Sequence, residues 1–384
     1  MRSAVGPLAW VAGVLALAIV MIPASPAEPV DVARLIPLVA TVLKVEAPTH
    51  DGRVNVGTAI TVAAGVVVTN CHVTRDATSV RLLKGGGRWP VAGQLADWDH
   101  DLCFLSAPAW PGAPVELEPS APDLYAPVVA AGFTRGAGLS MSAGEVTGLH
   151  GYGGGRIIQS TSRFSSGASG GALLNQEGRL VGVLTFRLRG NRDHFFSVPA
   201  AWVRNHLPIA DHLFEPIGRS GGGHAFWEGG CCVPYFMQVD ELRSQARWAE
   251  LLELARAWIA YDPQDADAWH ARGVAQARLG RAAEAVATLE HATVIAPRHE
   301  EAWYEMGIAG AARGDDRTTR RAREALAGLG SDLAELLVAG IAQEQAGRAG
   351  GQAAGGQAAD GQAADGQAGQ RAGAGEDRER EETR

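Results

Sequence analysis

Ser169 lies in Gly167-Ala168-Ser169-Gly170-Gly171 and leads into the apolar run Ala172-Leu173-Leu174. A serine between glycines just before a short strand exposes its hydroxyl on a tight turn. The backbone N–H groups beside it can then converge on one point, the arrangement that a nucleophile and an oxyanion hole need. A serine hydroxyl is a weak nucleophile until a neighbouring base takes its proton. Two upstream segments supply the missing groups: Thr69-Asn70-Cys71-His72-Val73 brings an imidazole, and His100-Asp101-Leu102 brings a carboxylate. His72 would act as general base and acid, and Asp101 would hold its other ring nitrogen and stabilise the imidazolium. Asp97 and Asp99 are alternatives, but only Asp101 runs straight into an apolar strand. His100, His150 and His194 have no comparable context and read as surface or loop histidines.

These groups need a scaffold of strands. From about Ile36 to Pro199 the chain is a series of short β-branched runs, such as Val66-Val67-Val68-Thr69 and Leu180-Val181-Gly182-Val183-Leu184, broken by Gly, Asp, Asn and Pro. That rhythm predicts a β-sandwich or barrel. Asn175-Gln176-Glu177-Gly178 predicts the turn of a hairpin that follows Ser169, and Pro199 to Arg204 a short closing helix. Residues 211–239 are rich in Gly, Ser and Pro and read as a linker. Beyond them the period becomes helical. Trp269 and Trp303 are 34 residues apart, each with glycine four positions later, at Gly273 and Gly307. Ala285, Leu289, Ala292 and Pro297 follow at offsets that let two antiparallel helices pack closely. From about Ala346 the repeating Gly-Gln-Ala-Ala-Asp pattern has too little apolar content to offset the entropy of ordering. Residues 344–384 are therefore expected to be a disordered tail.

The order His, then Asp, then Ser narrows the scaffold, because α/β-hydrolases and subtilisins arrange these groups differently. Residues 40–207 resemble a trypsin-like serine protease of the chymotrypsin double-barrel fold, and within it the bacterial HtrA-like branch. The resemblance is carried by Gly57-Thr58-Ala59-Ile60, Thr69-Asn70-Cys71-His72-Val73, His100-Asp101-Leu102-Cys103, Ser142-Ala143-Gly144-Glu145-Val146 and Gly167-Ala168-Ser169-Gly170-Gly171. It implies Ser169 as nucleophile, His72 as base and Asp101 as orienting carboxylate. The N–H groups of Gly167 and Ser169 would form the oxyanion hole. Thr185 falls where the family places a hydroxyl that bonds the aspartate, and Phe186 and Arg187 continue the strand that would pair with substrate. Ala168 replaces the aspartate with which digestive trypsins bind a newly cut N-terminus, so activation through that ion pair is excluded. Arg163, six before the serine, either lines the specificity pocket, disfavouring basic substrates, or points to solvent. No PDZ-like domain follows. The helical part instead resembles tetratricopeptide repeats: residues 266–299 match well, 300–333 diverge at Thr319 and Arg323, and an earlier unit is suggested from Trp248 to Pro263.

The expected architecture is thus an all-β double barrel at 32–210, the linker at 211–239 and an all-α helical-repeat region at 240–343. Residues 1–27, with Arg2, an apolar run from Ala4 to Ile22 and small residues at Ser25 and Ala27, read as an export signal, either cleaved after Ala27 or kept as a membrane anchor. The folded part then lies in the periplasm or is secreted. In that setting Cys71 and Cys103, each beside a proposed catalytic residue, form a disulfide or stay buried thiols. Cys231 and Cys232 sit in the linker. The net charge of −8 and the lack of basic runs, apart from a short stretch at 317–323 that reads as a solvated helix face, exclude nucleic acid as the main partner. No metal spacing appears and no cofactor is implied. The expected partners are a protein or peptide substrate and a protein bound by the repeats. Two functions follow: an exported serine endopeptidase, or an envelope adaptor whose protease fold is an inactive scaffold.

Overall fold

The structure, a computed structural model, describes residues 36–134, 138–188, 194–210, 213–219, 223–229 and 233–342. The expected export signal, the low-complexity tail and the Cys231-Cys232 pair lie outside the described residues. The first half is a seven-stranded sheet in the order β5-β4-β1-β2-β3-β7-β6, and the second is a closed barrel in the order β10-β13-β12-β11-β8-β9. In the sheet, β1 is Val42–Pro48, β2 Val54–Ala63, β3 Val66–Thr69, β4 Arg81–Lys84, β5 Gly87–Pro90, β6 Gly93–Asp97 and β7 Leu102–Ser106. In the barrel, β8 is Pro127–Thr134, β9 Gly138–Tyr152, β10 Gly155–Ser160, β11 Ala172–Leu174, β12 Leu180–Leu188 and β13 His194–Pro199. The fold class expected from the sequence is the one observed: two β units in the manner of chymotrypsin, then an all-helical region.

Many strands read as unbroken apolar runs because both of their faces are buried. Val66 and Val68 of β3 turn to one side and join Ile60, Leu102 and Phe104 with Ala131, Ile157 and Phe196 of the barrel. Val67 turns the other way and packs with Leu43, Val45 and Leu82 inside the first sheet. The core between the two β units is therefore built from alternate residues of the same strands that fill each interior. Three of those strands, β3, β7 and β11, adjoin the segments that bear His72, Asp101 and Ser169.

Helix α1 (Cys71–Thr74) follows β3 and helix α2 (Ala200–Ala210) closes the barrel. The helical region contains α3 (Tyr235–Ser244), α4 (Trp248–Tyr261), α5 (Ala266–Arg278), α6 (Ala282–Ile295), α7 (Glu300–Arg313) and α8 (Asp316–Gly328). Helices α4, α6 and α8 begin 34 residues apart, as do α5 and α7. The two repeat tryptophans are equivalent, since Trp269 donates to Pro263 O at 2.9 Å and Trp303 to Pro297 O at 2.8 Å. Gly273 lets Leu289 approach so closely that a Cβ there would lie 2.4 Å from it. In the next unit Arg323 stands where Leu289 would recur, and Gly307 is instead covered by Leu337 and Ala322. The departure at Arg323 is thus made good by the next helical segment, 333–342. No helix among the described residues is long and apolar enough to cross a membrane.

The stretch read as a linker is partly structured. Helix α3 begins inside it, and Phe226 is buried in the core between the β units. The helical region docks on the β9–β10 hairpin. Phe236 of α3 stacks between His150 and Phe196 at 4.4 and 4.9 Å. Arg156 pairs with Asp262 at 2.7 Å, and Arg298 grips both oxygens of Glu145 at 2.8 Å. His150 departs from the surface role expected of it: only 1% exposed, it meets Asp265 through Nδ1 at 3.0 Å and Gln159 Oε1 through Nε2 at 3.0 Å. With an acceptor at each nitrogen, the ring is an imidazolium. Burial opposes that charge, but the Asp265 and Asp267 carboxylates outweigh it and raise the His150 pKa to about 9.

A folded-state pKa above the ordinary value of about 6.5 gives stability that is complete below that pH and lost as pH rises through the folded value. Part is offset because burial also raises the Asp265 pKa. We therefore expect His150 to contribute about 2 kcal/mol at neutral pH that fades between pH 7 and 10. Thermal unfolding of wild type and His150→Gln across that range checks it. The two curves should converge as pH rises; a gap that stays constant would contradict the assignment.

Candidate active site

Asp101 organises the site before any chemistry occurs. The short helix α1 has N–H groups without intrahelical partners, as every helix start does. Asp101 satisfies two of them: its carbonyl accepts from Cys71 N at 3.3 Å, and its Oδ1 accepts from His72 N at 2.9 Å. Its other oxygen, Oδ2, lies 2.6 Å from His72 Nδ1. A carboxylate capping the helix at one oxygen and receiving the ring N–H at the other fixes the tautomer in which Nε2 carries the free lone pair. Asp101 is fully buried, and its φ of 54° places it in the left-handed region that aspartate tolerates better than most residues. Asn70, just before the helix, donates from Nδ2 to Asp101 O at 2.9 Å and to Thr185 Oγ1 at 3.2 Å. The disulfide Cys71–Cys103, with Cα atoms 4.8 Å apart, ties the helix that carries His72 to the strand that follows Asp101.

Of the three acidic candidates, Asp101 alone reaches His72. The Asp97 carboxylate is engaged by His100 Nδ1 at 2.6 Å and His206 Nε2 at 3.0 Å, and Asp99 is exposed.

Ser169 comes from the barrel, and Thr58 of β2 stitches its turn to the first sheet. Thr58 N donates to Ser169 O at 2.8 Å, and Thr58 Oγ1 donates to Gly167 O at 2.8 Å while accepting from Phe133 N at 2.9 Å. Gly170 has φ 85°, and a Cβ there would lie 2.1 Å from Thr58 O, so only glycine fits this crossing. Among the described residues the N–H groups of Gly167 and Ser169 have no backbone acceptor. The Ser169 hydroxyl donates to Thr185 O at 3.3 Å and not to His72. The hydroxyl must turn from Thr185 O toward the imidazole before attack, and such bonds commonly form only once substrate is bound.

The remaining sequence candidates are placed as follows. Thr185 is buried, but its hydroxyl donates to Val183 O at 2.8 Å and does not reach Asp101. The donor that does reach Asp101 Oδ2 is Trp227 Nε1, at 3.0 Å, from within the expected linker. Phe186 is buried and stacks on Phe196 at 4.9 Å and on Trp227 at 5.5 Å. Arg187 is half-buried, and Arg163 is exposed. The sequence alone assigns no role to Thr58, Asn70 or Trp227. Thr58 and Asn70 lie within the motifs around Gly57 and His72. For Trp227 the available signal was the pair Phe226-Trp227, since two adjacent aromatic side chains in a glycine-rich stretch are costly to leave in water.

Among the described residues, two clusters away from this site gather ligand-type atoms within 4.8 Å: Asp267, His270 and His299, and His150, Asp265 and Asp267. The absence of a metal-ligand spacing in the sequence did not foreshadow them, because they converge from β9 and from two helix starts. Within them His299 Nε2 meets Asp267 at 2.8 Å, and His150 meets Asp265, so the acids and imidazoles already serve one another.

The family model of the trypsin-like peptidase domain matches residues 57–183. No curated protein matches the chain. Among solved structures, the chain is similar to the active form of the Rv3671c protease from M. tuberculosis, with 20% identity, 58% of this chain and 100% of that chain covered, and a TM-score of 0.46. It is also similar to a serine endoprotease from Yersinia pestis, with 22% identity, 47% and 66% covered, and a TM-score of 0.42. A third, the HtrA-type protease AlgW with tripeptide, gives 21% identity, 46% and 62% covered, and a TM-score of 0.43.

Proposed function

We propose that the chain is an exported serine endopeptidase of the HtrA-like kind that cleaves peptide bonds through an acyl-enzyme on Ser169. The observation that carries this reading is the 2.6 Å contact of His72 Nδ1 with buried Asp101, set beside a glycine-flanked serine at which, among the described residues, the N–H groups of Gly167 and Ser169 have no backbone acceptor. Once the Ser169 hydroxyl turns to it, His72 Nε2 takes the hydroxyl proton as Oγ attacks the substrate carbonyl. The oxyanion that forms accepts from Gly167 N and Ser169 N, and Asp101 stabilises the imidazolium. His72 then gives its proton to the leaving amine. Water, activated by the same imidazole, hydrolyses the ester and restores the serine.

The Cys71–Cys103 disulfide supports residence in an oxidising compartment. The 34-residue spacing of helix starts supports a tetratricopeptide-like region that holds a substrate or partner protein. Exposure of Arg163 favours its solvent-facing reading, so we assign it no part in selecting acidic substrates. Incubating the purified chain with an unfolded protein, and mapping products by mass spectrometry, tests the proposal. Cleavage should vanish in Ser169→Ala; cleavage that persists in that variant would overturn it.

A further inference from the structure

Asp101 Oδ2 receives two donors, and the second arrives from the segment that leads to the helices. Trp227 Nε1 donates to it at 3.0 Å, sharing the oxygen with His72 Nδ1 at 2.6 Å. The indole stands edge-on to the His72 ring, with centroids 5.3 Å apart and planes at 87°, and lies nearly parallel to Phe186 at 5.5 Å and 20°. Trp227 thus fills the space between the imidazole and β12. Its neighbours fasten it there. Phe226 is buried against Tyr152 at 4.8 Å, and Glu228 takes both terminal nitrogens of Arg75, at 2.9 and 2.5 Å. Arg75 ends helix α1, so residues 225–228 grip the helix carrying His72 at its C-terminal end while the indole reaches past it to the aspartate.

A fully buried carboxylate must have its lone pairs satisfied by the protein. Thr185, the expected donor, is engaged with Val183 and Asn70. We propose that Trp227 is a positioning residue: its indole N–H holds the Asp101 carboxylate in the plane of the His72 ring, which makes the pair depend on the segment joining the barrel to the helices. This rests on the peptidase reading above for its catalytic consequence, though not for the contact itself. Without the N–H, Oδ2 keeps one donor and the carboxylate is free to tilt. Its charge then falls more heavily on the imidazolium. Among the described residues Glu228 interacts with His72 electrostatically, Arg75 pairs with Glu228, and exposed His224 lies 3.7 Å from Glu228. None of these is altered by replacing the indole.

Trp227→Phe keeps an aromatic ring against His72 and Phe186 and removes the donor. In the purified chain, kcat for a peptide substrate should fall about 10-fold with KM held within about twofold, the loss of one hydrogen bond to a charged group. The acid limb of the pH–rate profile should move to higher pH, and the His72 Nδ1–H proton resonance should move with it. A purely structural role would lower thermal stability and leave both the limb and the resonance in place. That outcome in a folded variant would overturn the proposal. A second measurement needs no variant: in wild-type protein with ¹⁵N-labelled tryptophan, the Trp227 Nε1–H signal should titrate together with His72, and an indifferent signal would overturn the proposal equally. If the wild type proves inactive on peptides while that signal still titrates, the positioning contact stands and the peptidase reading falls.

Discussion

Under the proposed mechanism Asp101→Asn should lower kcat by about 10⁴-fold in a protein that still folds, because the amide cannot meet the donors that surround the carboxylate. Oδ1 accepts from His72 N, while Oδ2 accepts from His72 Nδ1 and Trp227 Nε1. If the NH₂ takes the place of Oδ2, it points at two donors and drives the imidazole into the tautomer with its proton on Nε2. That ring nitrogen can no longer accept from Ser169. If the NH₂ turns to the helix instead, it faces the His72 backbone N–H and loses the cap. Pre-steady-state acylation with a chromogenic ester isolates the step, and circular dichroism checks the fold. A folded variant within tenfold of wild type would show that Asp101 does not set the tautomer of His72.

The second large effect concerns the disulfide. Cys71 and Cys103 are both fully buried and close a loop with a sequence separation of 32. In the chain-entropy account a loop of that length restricts the unfolded state by about 3.5 kcal/mol. The Cys71→Ala/Cys103→Ala double variant avoids burying hydroxyls without partners and should lose about that much stability, seen as a lower denaturant midpoint with a slope that is raised, because the unbridged unfolded chain exposes more surface. Catalysis should suffer too, since the bridge joins the helix bearing His72 to the strand after Asp101. An unchanged midpoint would mean that sheet pairing between β3 and β7 fixes the geometry alone.

Chemistry local to the chain was legible in the sequence. His72, Asp101 and Ser169 each announced themselves through short motifs, and the structure brings His72 and Asp101 into contact. The 34-residue period likewise appeared in the placing of Trp269 and Trp303. What the sequence hid were partnerships across long separations. Trp227 meets Asp101 from 126 residues away, and His150 meets Asp265 from 115. Such pairs leave no spacing to read. The glycines around Phe226 and Trp227 suggested a solvated linker, whereas burial of Phe226 outweighs that local preference. Arg298 and Glu145 follow the same rule: each alone reads as a surface charge, and together they help hold helices to barrel.

The proposed mechanism requires Ser169 to be an activated nucleophile. A fluorophosphonate probe tests it directly, since a serine made nucleophilic by its base attacks the phosphorus, expels fluoride and is left as a phosphonate ester, with no knowledge of the substrate needed. Digestion and mass spectrometry of the labelled chain should place a single adduct on Ser169, formed quickly by wild type, absent from Ser169→Ala and strongly slowed in His72→Ala. A folded wild-type chain that remains unlabelled, or one labelled at another serine at the same rate in all three proteins, would contradict it.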